Sequence, residues 1–262
     1  MIQSTKDGEL VIIKTGTPID GNVLMWTTFY YCKGIVIDGG CPNTAEEAYK
    51  FVKDLGDIDA VVLTHHHEDH IGLAQILSNE GFDVYISKHS IDILRNPPDI
   101  PEYRRIVWGQ PKPINALPLE EELNIKGIDI KVYKAPGHSK DHVVFQIDDY
   151  IFIGDLIGSL KPKIAFYSDN YSQILESVEN VVLTLDFEKA YGGHIITTKD
   201  EIPLFIEYIK YLKNRIRELR EDGHDTNEII DLLWDRISEK VLMMEAVSGG
   251  EWHRRYLVET LL

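Results

Sequence analysis

Between Thr64 and His70 the chain reads Thr-His-His-His-Glu-Asp-His, which packs four candidate metal donors, His65, His67, Asp69 and His70, into six positions. In extended backbone, residues two apart point the same way. His65, His67 and Asp69 therefore converge from one side, while His70 swings in at the first turn of the helix expected next. Imidazole nitrogen and carboxylate oxygen suit zinc, iron and manganese. A lone histidine reads as a surface or hydrogen-bonded residue. Four donors set between apolar elements would be costly to bury uncompensated, and a metal ion satisfies them together.

Donors in loops need elements that bring those loops to one edge. Up to about Asp38 the chain is strand-like, with Leu10-Val-Ile-Ile, residues 22–31 and Ile35-Val-Ile-Asp separated by Gly and Pro turn signals. Residues 44–55 predict a helix, 59–64 a buried strand, 71–79 a helix and 83–86 a strand. A short helix is expected near Ser90. Residues 97–118 read as a long surface connection without regular period, suited to a lid or a substrate wall. Closely spaced strands follow over 128–133, 142–147 and 150–153, with a tight hairpin at Asp148-Asp149. A helix over 173–185 and a strand reaching Tyr191 complete a second block. Two halves of strands followed by helices predict an α+β fold, a four-layer αββα sandwich over residues 1–200.

From Glu201 the pattern changes. Ile202, Phe205, Ile206, Ile209, Leu212, Ile216 and Leu219 follow the spacing of an amphipathic helix. Asp225-Thr-Asn-Glu228 is a capping box expected to open a second helix through Leu242, and a last helix is expected over 252–261. Residues 201–262 thus form a helical extension placed near the active site, where it walls a substrate pocket, covers an edge or packs on a second copy as a homodimer.

The chain has 262 residues, 27 Lys+Arg against 43 Asp+Glu and a formal net charge of −16. Its 44% hydrophobic and 27% charged content is that of a globular protein and excludes disordered and fibrous classes. Such a surface repels polyanions at long range, which argues for a small-molecule substrate and against nucleic acid. No stretch approaches the ~18 apolar residues of a membrane span. Residues 1–9 lack the basic start and apolar run of a secretory signal. Cys32 and Cys41 stand in no metal-binding spacing and are expected to be reduced and buried. A cytoplasmic protein is the expectation.

His65-x-His67-x-Asp69-His70 after a strand resembles the metallo-β-lactamase superfamily, and further motifs follow in the same order. Asp38-Gly-Gly is similar to its Asp-x-Gly turn and Pro136-Gly-His-Ser139 to its Pro-Gly-His-Ser/Thr turn. Gly154-Asp155 resembles its strand-end Gly-Asp and Gly193-His194 its final Gly-His, so the match runs over roughly residues 9–200. The resemblance implies two divalent ions, zinc first, with iron or manganese as alternatives. His65, His67 and His138 would hold one ion, Asp69, His70 and His194 the other, and Asp155 would bridge. By spacing alone His142 rivals His138, and His142 or Asp141 is a candidate to orient a ligand. His66 is expected to point away, His89 and His224 to lie at the surface, and His253 to pack in a helix beside Arg254 and Arg255, which are candidates to meet an anionic substrate. Tyr167, Tyr171, Lys161 and Lys163 are read as packing or solvated residues, with substrate contact as the alternative.

The activity this implies is that of a metal-dependent hydrolase in which a metal-bridging hydroxide attacks an ester, lactone or thioester, Asp69 holding both ion and nucleophile. The Thr64–His70 motif and the helical arm look like glyoxalase II, a thioester hydrolase acting on hydroxyacyl-glutathione. The chain departs from that branch after Asp155, where Leu156-Ile-Gly-Ser-Leu-Lys161 replaces Leu-Phe-x-x-Gly-Cys-Gly-Arg. Alternatives are a phosphodiesterase or nuclease of the same superfamily, a persulfide dioxygenase using a single iron, and a non-catalytic metal-binding module.

Overall fold

Alternation along the strands sets the layering of the computed structural model, which describes all 262 residues. In Leu10–Thr15, Leu10 and Ile12 enter one apolar layer while Val11 and Ile13 enter another. The same split separates Ile35 and Ile37 from Val36, and Phe152 from Ile151 and Ile153. Successive side chains point to opposite faces of a strand, so strands apolar at every position are covered on both sides.

The first sheet has seven strands in the order Ile2–Asp7, Leu10–Thr15, Thr27–Cys32, Ile35–Ile37, Ala60–Val62, Asp83–Ile86 and Leu117–Pro118. Its first four are joined antiparallel and the rest parallel. The second has six, Glu122–Ile125, Ile128–Lys134, Val143–Ile147, Tyr150–Gly154, Lys189–Gly192 and Ile196–Thr198. Tyr150–Gly154 and Lys189–Gly192 are its one parallel pair. Between the sheets lies a buried layer built on Tyr30, Ile37, Val62, Phe145, Phe152 and Tyr191. Tyr30 and Phe152 pack with ring centroids 5.2 Å apart, and the Tyr30 hydroxyl donates to the Gly192 carbonyl at 2.6 Å, joining the sheets near the loop that carries His194.

Helices Ala45–Leu55 and Glu68–Asn79 cover the outer face of the first sheet. Helices Tyr171–Asn180, Ile202–Glu221, Thr226–Leu233 and Arg254–Leu261 cover the second. The architecture is the expected αββα sandwich with C-terminal helices.

Several elements differ from the sequence reading. Residues 22–31 are not one strand: Asn22–Val23 turns back on Pro18–Ile19 through Asp20 and Gly21, both at positive φ, and only Thr27–Cys32 joins the sheet. Helix Glu68–Asn79 starts three residues earlier than expected because His67 takes the extended N-cap conformation and Glu68 and Asp69 suit the positive end of the helix dipole. Residues 97–118 hold a helix, Glu102–Val107, and the edge strand Leu117–Pro118. Buried Arg104 anchors that helix on Glu68, a tertiary contact that periodicity does not reveal. The helix expected over 173–185 ends at Asn180, with a 3-10 turn at Val182–Thr184. The Asp225 capping box forms, yet its helix stops at Leu233, where buried Trp234 leaves helical geometry, and a new helix runs over Glu239–Val247. Trp252–His253 pairs as a short strand with Ala165–Phe166, and His253 Nδ1 accepts from Arg255 N at 3.0 Å to cap the last helix.

Both thiols are free and buried. Burial raises Cys32 from the ordinary 9.0 to about 11 and pushes Cys41 further up. A thiol with a raised folded pKa leaves stability intact below pH 9 and erodes it as pH climbs from there through the folded value. Neither thiol should react with an aromatic disulfide reagent at pH 8 in the native chain, and both should react once the chain is unfolded. Phe145, fully buried between the sheets, should cost ~3–5 kcal/mol when replaced by alanine, read as a lower urea midpoint.

Candidate metal centre

Strand Ala60–Val62 delivers the donor-rich loop to the sandwich edge, and one carboxylate sets its geometry. Asp38, at φ 61° after Ile35–Ile37, accepts from Thr64 N at 2.8 Å and from Thr64 Oγ1 at 2.9 Å. Its Oδ2 accepts from His70 Nδ1 at 2.8 Å. The Thr64 hydroxyl lies 3.0 Å from His65 Nδ1, and His138 Nδ1 donates to Asp169 Oδ1 at 2.8 Å. His194 Nδ1 donates to the Trp26 carbonyl at 3.1 Å. With Nδ1 tied in each of these four rings, Nε2 is the nitrogen left for a ligand.

The free atoms gather in two groups. Donor atoms of His65, His67 and His138 lie within 4.8 Å of one another, and so do those of Asp69, His70, Asp155 and His194. His67 Nδ1 is 2.8 Å from His138 Nε2. Asp155 stands between the groups: Oδ1 is 3.2 Å from His70 Nε2, and Oδ2 is 3.3 Å from His194 Nε2 and 3.8 Å from His138 Nε2. Asp69 Oδ2 accepts from Thr27 Oγ1 at 3.1 Å and lies 3.5 Å from His194 Nε2.

This arrangement fits divalent ions. His65 Nε2, His70 Nε2 and Asp155 Oδ1 are buried without a hydrogen-bond partner, the last two being close but out of line. Burial, together with the neighbouring imidazoles, holds His65 and His67 well below the usual histidine value, in the neutral form that binds metal. For His70 and His194 burial opposes protonation, but the Asp155 and Asp69 carboxylates outweigh it and raise both. Burial likewise opposes ionisation of Asp155, and His194 and His70 overcome it, keeping the carboxyl well below its usual range. The second group is thus a pair of carboxylates already compensated by positive charge.

The structure separates His138 from its rival. His142 Nε2 accepts from Asp155 N at 3.1 Å, behind the donors, and burial with the His138 charge lowers its pKa to about 3. Asp141 orients no donor; its Oδ1 pairs with His66 Nδ1 at 2.9 Å, which turns His66 aside. A Cβ on Gly193 would fall 2.3 Å from Asp155 Oδ1, so the residue before His194 has no room for a side chain.

Beside His138, Asp155 and His194 opens a cleft of about 600 Å³. Leu24, Met25, Trp26, Ile164, Met244 and Trp252 supply apolar wall, and Lys161, Lys163 and Lys240 also line it. Tyr171 lines it from a buried position, whereas Tyr167 is exposed. His89 is exposed and His224 half-buried. Arg254 is taken by Glu245, at 2.8 and 3.0 Å, rather than facing the cleft. Sequence spacing did not single out Asp169, Thr27, Trp108, Trp252 or Arg104, the last paired with Glu68 of the donor run. Each meets the centre from a distant part of the chain, and no local signal marks them.

The chain belongs to the metallo-beta-lactamase superfamily, whose profile matches residues 32–194. It is 30% identical over 151 residues to a hydroxyacylglutathione hydrolase of Prochlorococcus marinus, covering 53% of this chain and 52% of that one. A hydroxyacylglutathione hydrolase of Glaesserella parasuis is 24% identical over 186 residues, covering 70% of each. The chain therefore spans about half to 70% of the length of these relatives. A metallo-beta-lactamase family protein from Thermus thermophilus shares the fold with a TM-score of 0.64 at 22% identity, over 95% of this chain and 90% of that one.

Asp169 belongs to neither donor group; its Oδ1 accepts from His138 Nδ1 and its Oδ2 from Phe166 N, each at 2.8 Å, so Asp169→Asn, which keeps an oxygen for Phe166, tests the orienting of His138. Loss of such a partner should weaken zinc binding by about 10–100-fold, measured by competition with a chromophoric chelator, with far-UV circular dichroism unchanged.

Proposed function

We propose that the chain is a metal-dependent hydrolase of an ester, thioester or lactone bond that works with two divalent ions, zinc in the first place. His65, His67 and His138 would hold one ion and Asp69, His70 and His194 the other, with Asp155 placed to reach both. The observation that carries this reading is the convergence of seven donors in two groups, with His65 Nε2, His70 Nε2 and Asp155 Oδ1 buried and unpartnered. When bound, the ions supply an activated water and a Lewis acid for the carbonyl under attack.

The chain's own residues do the remaining work. Asp69 Oδ2, which accepts from Thr27 Oγ1, would hold the nucleophilic water as well as an ion. Asp38, Asp169 and the Trp26 carbonyl lock the ring orientations. The apolar wall keeps bulk water from the reacting carbonyl and suits an organic acyl compound better than a polyanionic backbone. Lys161, Lys163 and Lys240 form no ion pair and favour a substrate whose leaving side is anionic. Together with the relatives named hydroxyacylglutathione hydrolase, this supports the thioester of an anionic thiol. Residues 1–200 act as the catalytic unit and 201–262 as the extension that walls the cleft. No helix is long and apolar enough to cross a membrane, and two free thiols suit a reducing cytoplasm.

The purified chain should contain two metal ions, lose thioester or lactone hydrolysis to a chelator and regain it with zinc. His65→Ala, His67→Ala and Asp155→Ala should each abolish turnover with near-native helical content. Full activity in Asp155→Ala would remove the shared-ligand assignment. Chelator-sensitive cleavage of a phosphodiester alone, or one iron and no hydrolysis, would replace the reading.

A further inference from the structure

Asp155, the carboxylate that stands between the two donor groups, sits just past the end of its strand. The pairing of Tyr150–Gly154 with Lys189–Gly192 slips between Phe152 and Gly154, and Gly154 turns to φ 48°. Beyond it Leu156 N donates back to the Ile153 carbonyl at 3.1 Å, and the Gly154 carbonyl accepts from Gly193 N at 2.8 Å. The ladder thus leaves the Asp155 N–H without a backbone acceptor. It turns instead to His142 Nε2, 3.1 Å away.

His142 lies where three donor-bearing segments meet. Its carbonyl accepts from Ala135 N at 3.0 Å, which closes the loop that carries His138. Val143 N, next in the chain, donates to the Thr64 carbonyl at 3.0 Å, at the base of the loop that carries His65 and His67. His142 is 1% exposed, and its ring lies 5.2 Å from the His65 ring with the planes inclined by 34°. A Cβ on Gly154 would fall 2.6 Å from His142 Nε2 and 2.7 Å from Thr64 Oγ1, so only glycine lets the ring come this close to the strand end.

The hydrogen bond fixes the state of the ring. A backbone amide can only donate, so Nε2 must offer its lone pair, and a neutral imidazole then carries its proton on Nδ1. That Nδ1 is buried with no partner in the chain. A stranded buried donor is unfavourable, and a ring needed only to pack against His65 has no reason to be imidazole. What Nε2 does offsets this. Only χ1 and χ2 separate the Asp155 amide from its carboxylate, whose Oδ1 lies 3.2 Å from His70 Nε2 and whose Oδ2 lies 3.3 Å from His194 Nε2 and 3.8 Å from His138 Nε2.

We propose that His142 is a positioning residue for the centre: its Nε2 lone pair holds the Asp155 amide and so aims the carboxylate at both donor groups, while its ring binds no ion itself. The positioning role rests on the two-ion reading above; the hydrogen bond and its tautomer do not.

Side-chain length tests the geometry. A Gln side chain brings its carbonyl oxygen to the place of imidazole Nε2, an Asn side chain brings it only to the place of Nδ1, and Leu supplies no acceptor. With zinc affinities measured by competition with a chromophoric chelator, His142→Leu and His142→Asn should weaken both ions by about 10–100-fold, and His142→Gln should stay within about threefold of the unaltered chain. Full affinity in His142→Leu, or equal rescue by Asn and Gln, overturns the proposal. A second measurement uses the unaltered, zinc-loaded, ¹⁵N-labelled chain and decides even if a variant fails to fold. His142 should show Nδ1 protonated and Nε2 bare, with a scalar coupling across the hydrogen bond from the Asp155 amide nitrogen to Nε2. A proton or an ion on Nε2 overturns the proposal. Two bound ions with the wrong tautomer remove the positioning role and keep the two-ion reading, whereas a chain that takes up no zinc yet shows the tautomer and the coupling removes the two-ion reading and the positioning role with it.

Discussion

Asp38 is one buried carboxylate serving three donors, the backbone and hydroxyl of Thr64 and the ring of His70. Through them it couples the end of strand Ile35–Ile37 to the loop and helix that carry four of the seven donors. The coupling depends on backbone approach. Gly72 N donates to the Gly40 carbonyl at 2.8 Å and Leu73 N to the Gly39 carbonyl at 2.9 Å. A Cβ on Gly72 would sit 2.4 Å from the Cys41 carbonyl carbon. The glycines flanking this contact let helix Glu68–Asn79 close onto the turn, and that closeness aims His70 while presenting its Nε2. Without it the same residue types would lie in a loose loop and have no common focus.

Around that focus the two donor groups differ in electrostatic character. His65, His67 and His138 form a nitrogen trio, the first two held neutral by burial. Asp69 and Asp155 add two negative charges to His70 and His194. A cation gains little Coulomb attraction at the first group beyond what Asp155 lends it, and much more at the second. Protons compete with metal at the second group in particular, because its imidazoles take them up when the carboxylates lack another cation.

The layers and the donor loops were legible because both depend on short-range pattern. Alternation in Leu10–Thr15 and Tyr150–Gly154 tells which strands are covered on both faces, and a His-x-His-x-Asp-His run announces convergence within one turn. Element ends were less legible. The break at Trp234 arises where a side chain is buried by tertiary packing against its local propensity, and the one before Thr27 where the positive-φ turn at Asp20 and Gly21 folds Asn22–Val23 back on Pro18–Ile19. Helix Glu102–Val107 was hidden for the same reason, since Arg104 and Glu68 are 36 positions apart. The partners of the donors were the least legible part. Asp169 and Trp26 stand 31 and 168 positions from the histidines they hold, distances over which one sequence carries no pairing signal.

The two-residue ladder between Ala165–Phe166 and Trp252–His253 brings a late segment of the chain against the centre. All seven donors precede residue 195, while Met244, Glu251 and Trp252 come some 50 or more positions later. On a ribosome adding ~5–20 residues per second, roughly 3–12 s pass between the last donor and this wall. The nascent chain can thus gather its candidate metal donors while this wall of the cleft is still being made, so the donor cluster is complete in sequence before the wall beside it.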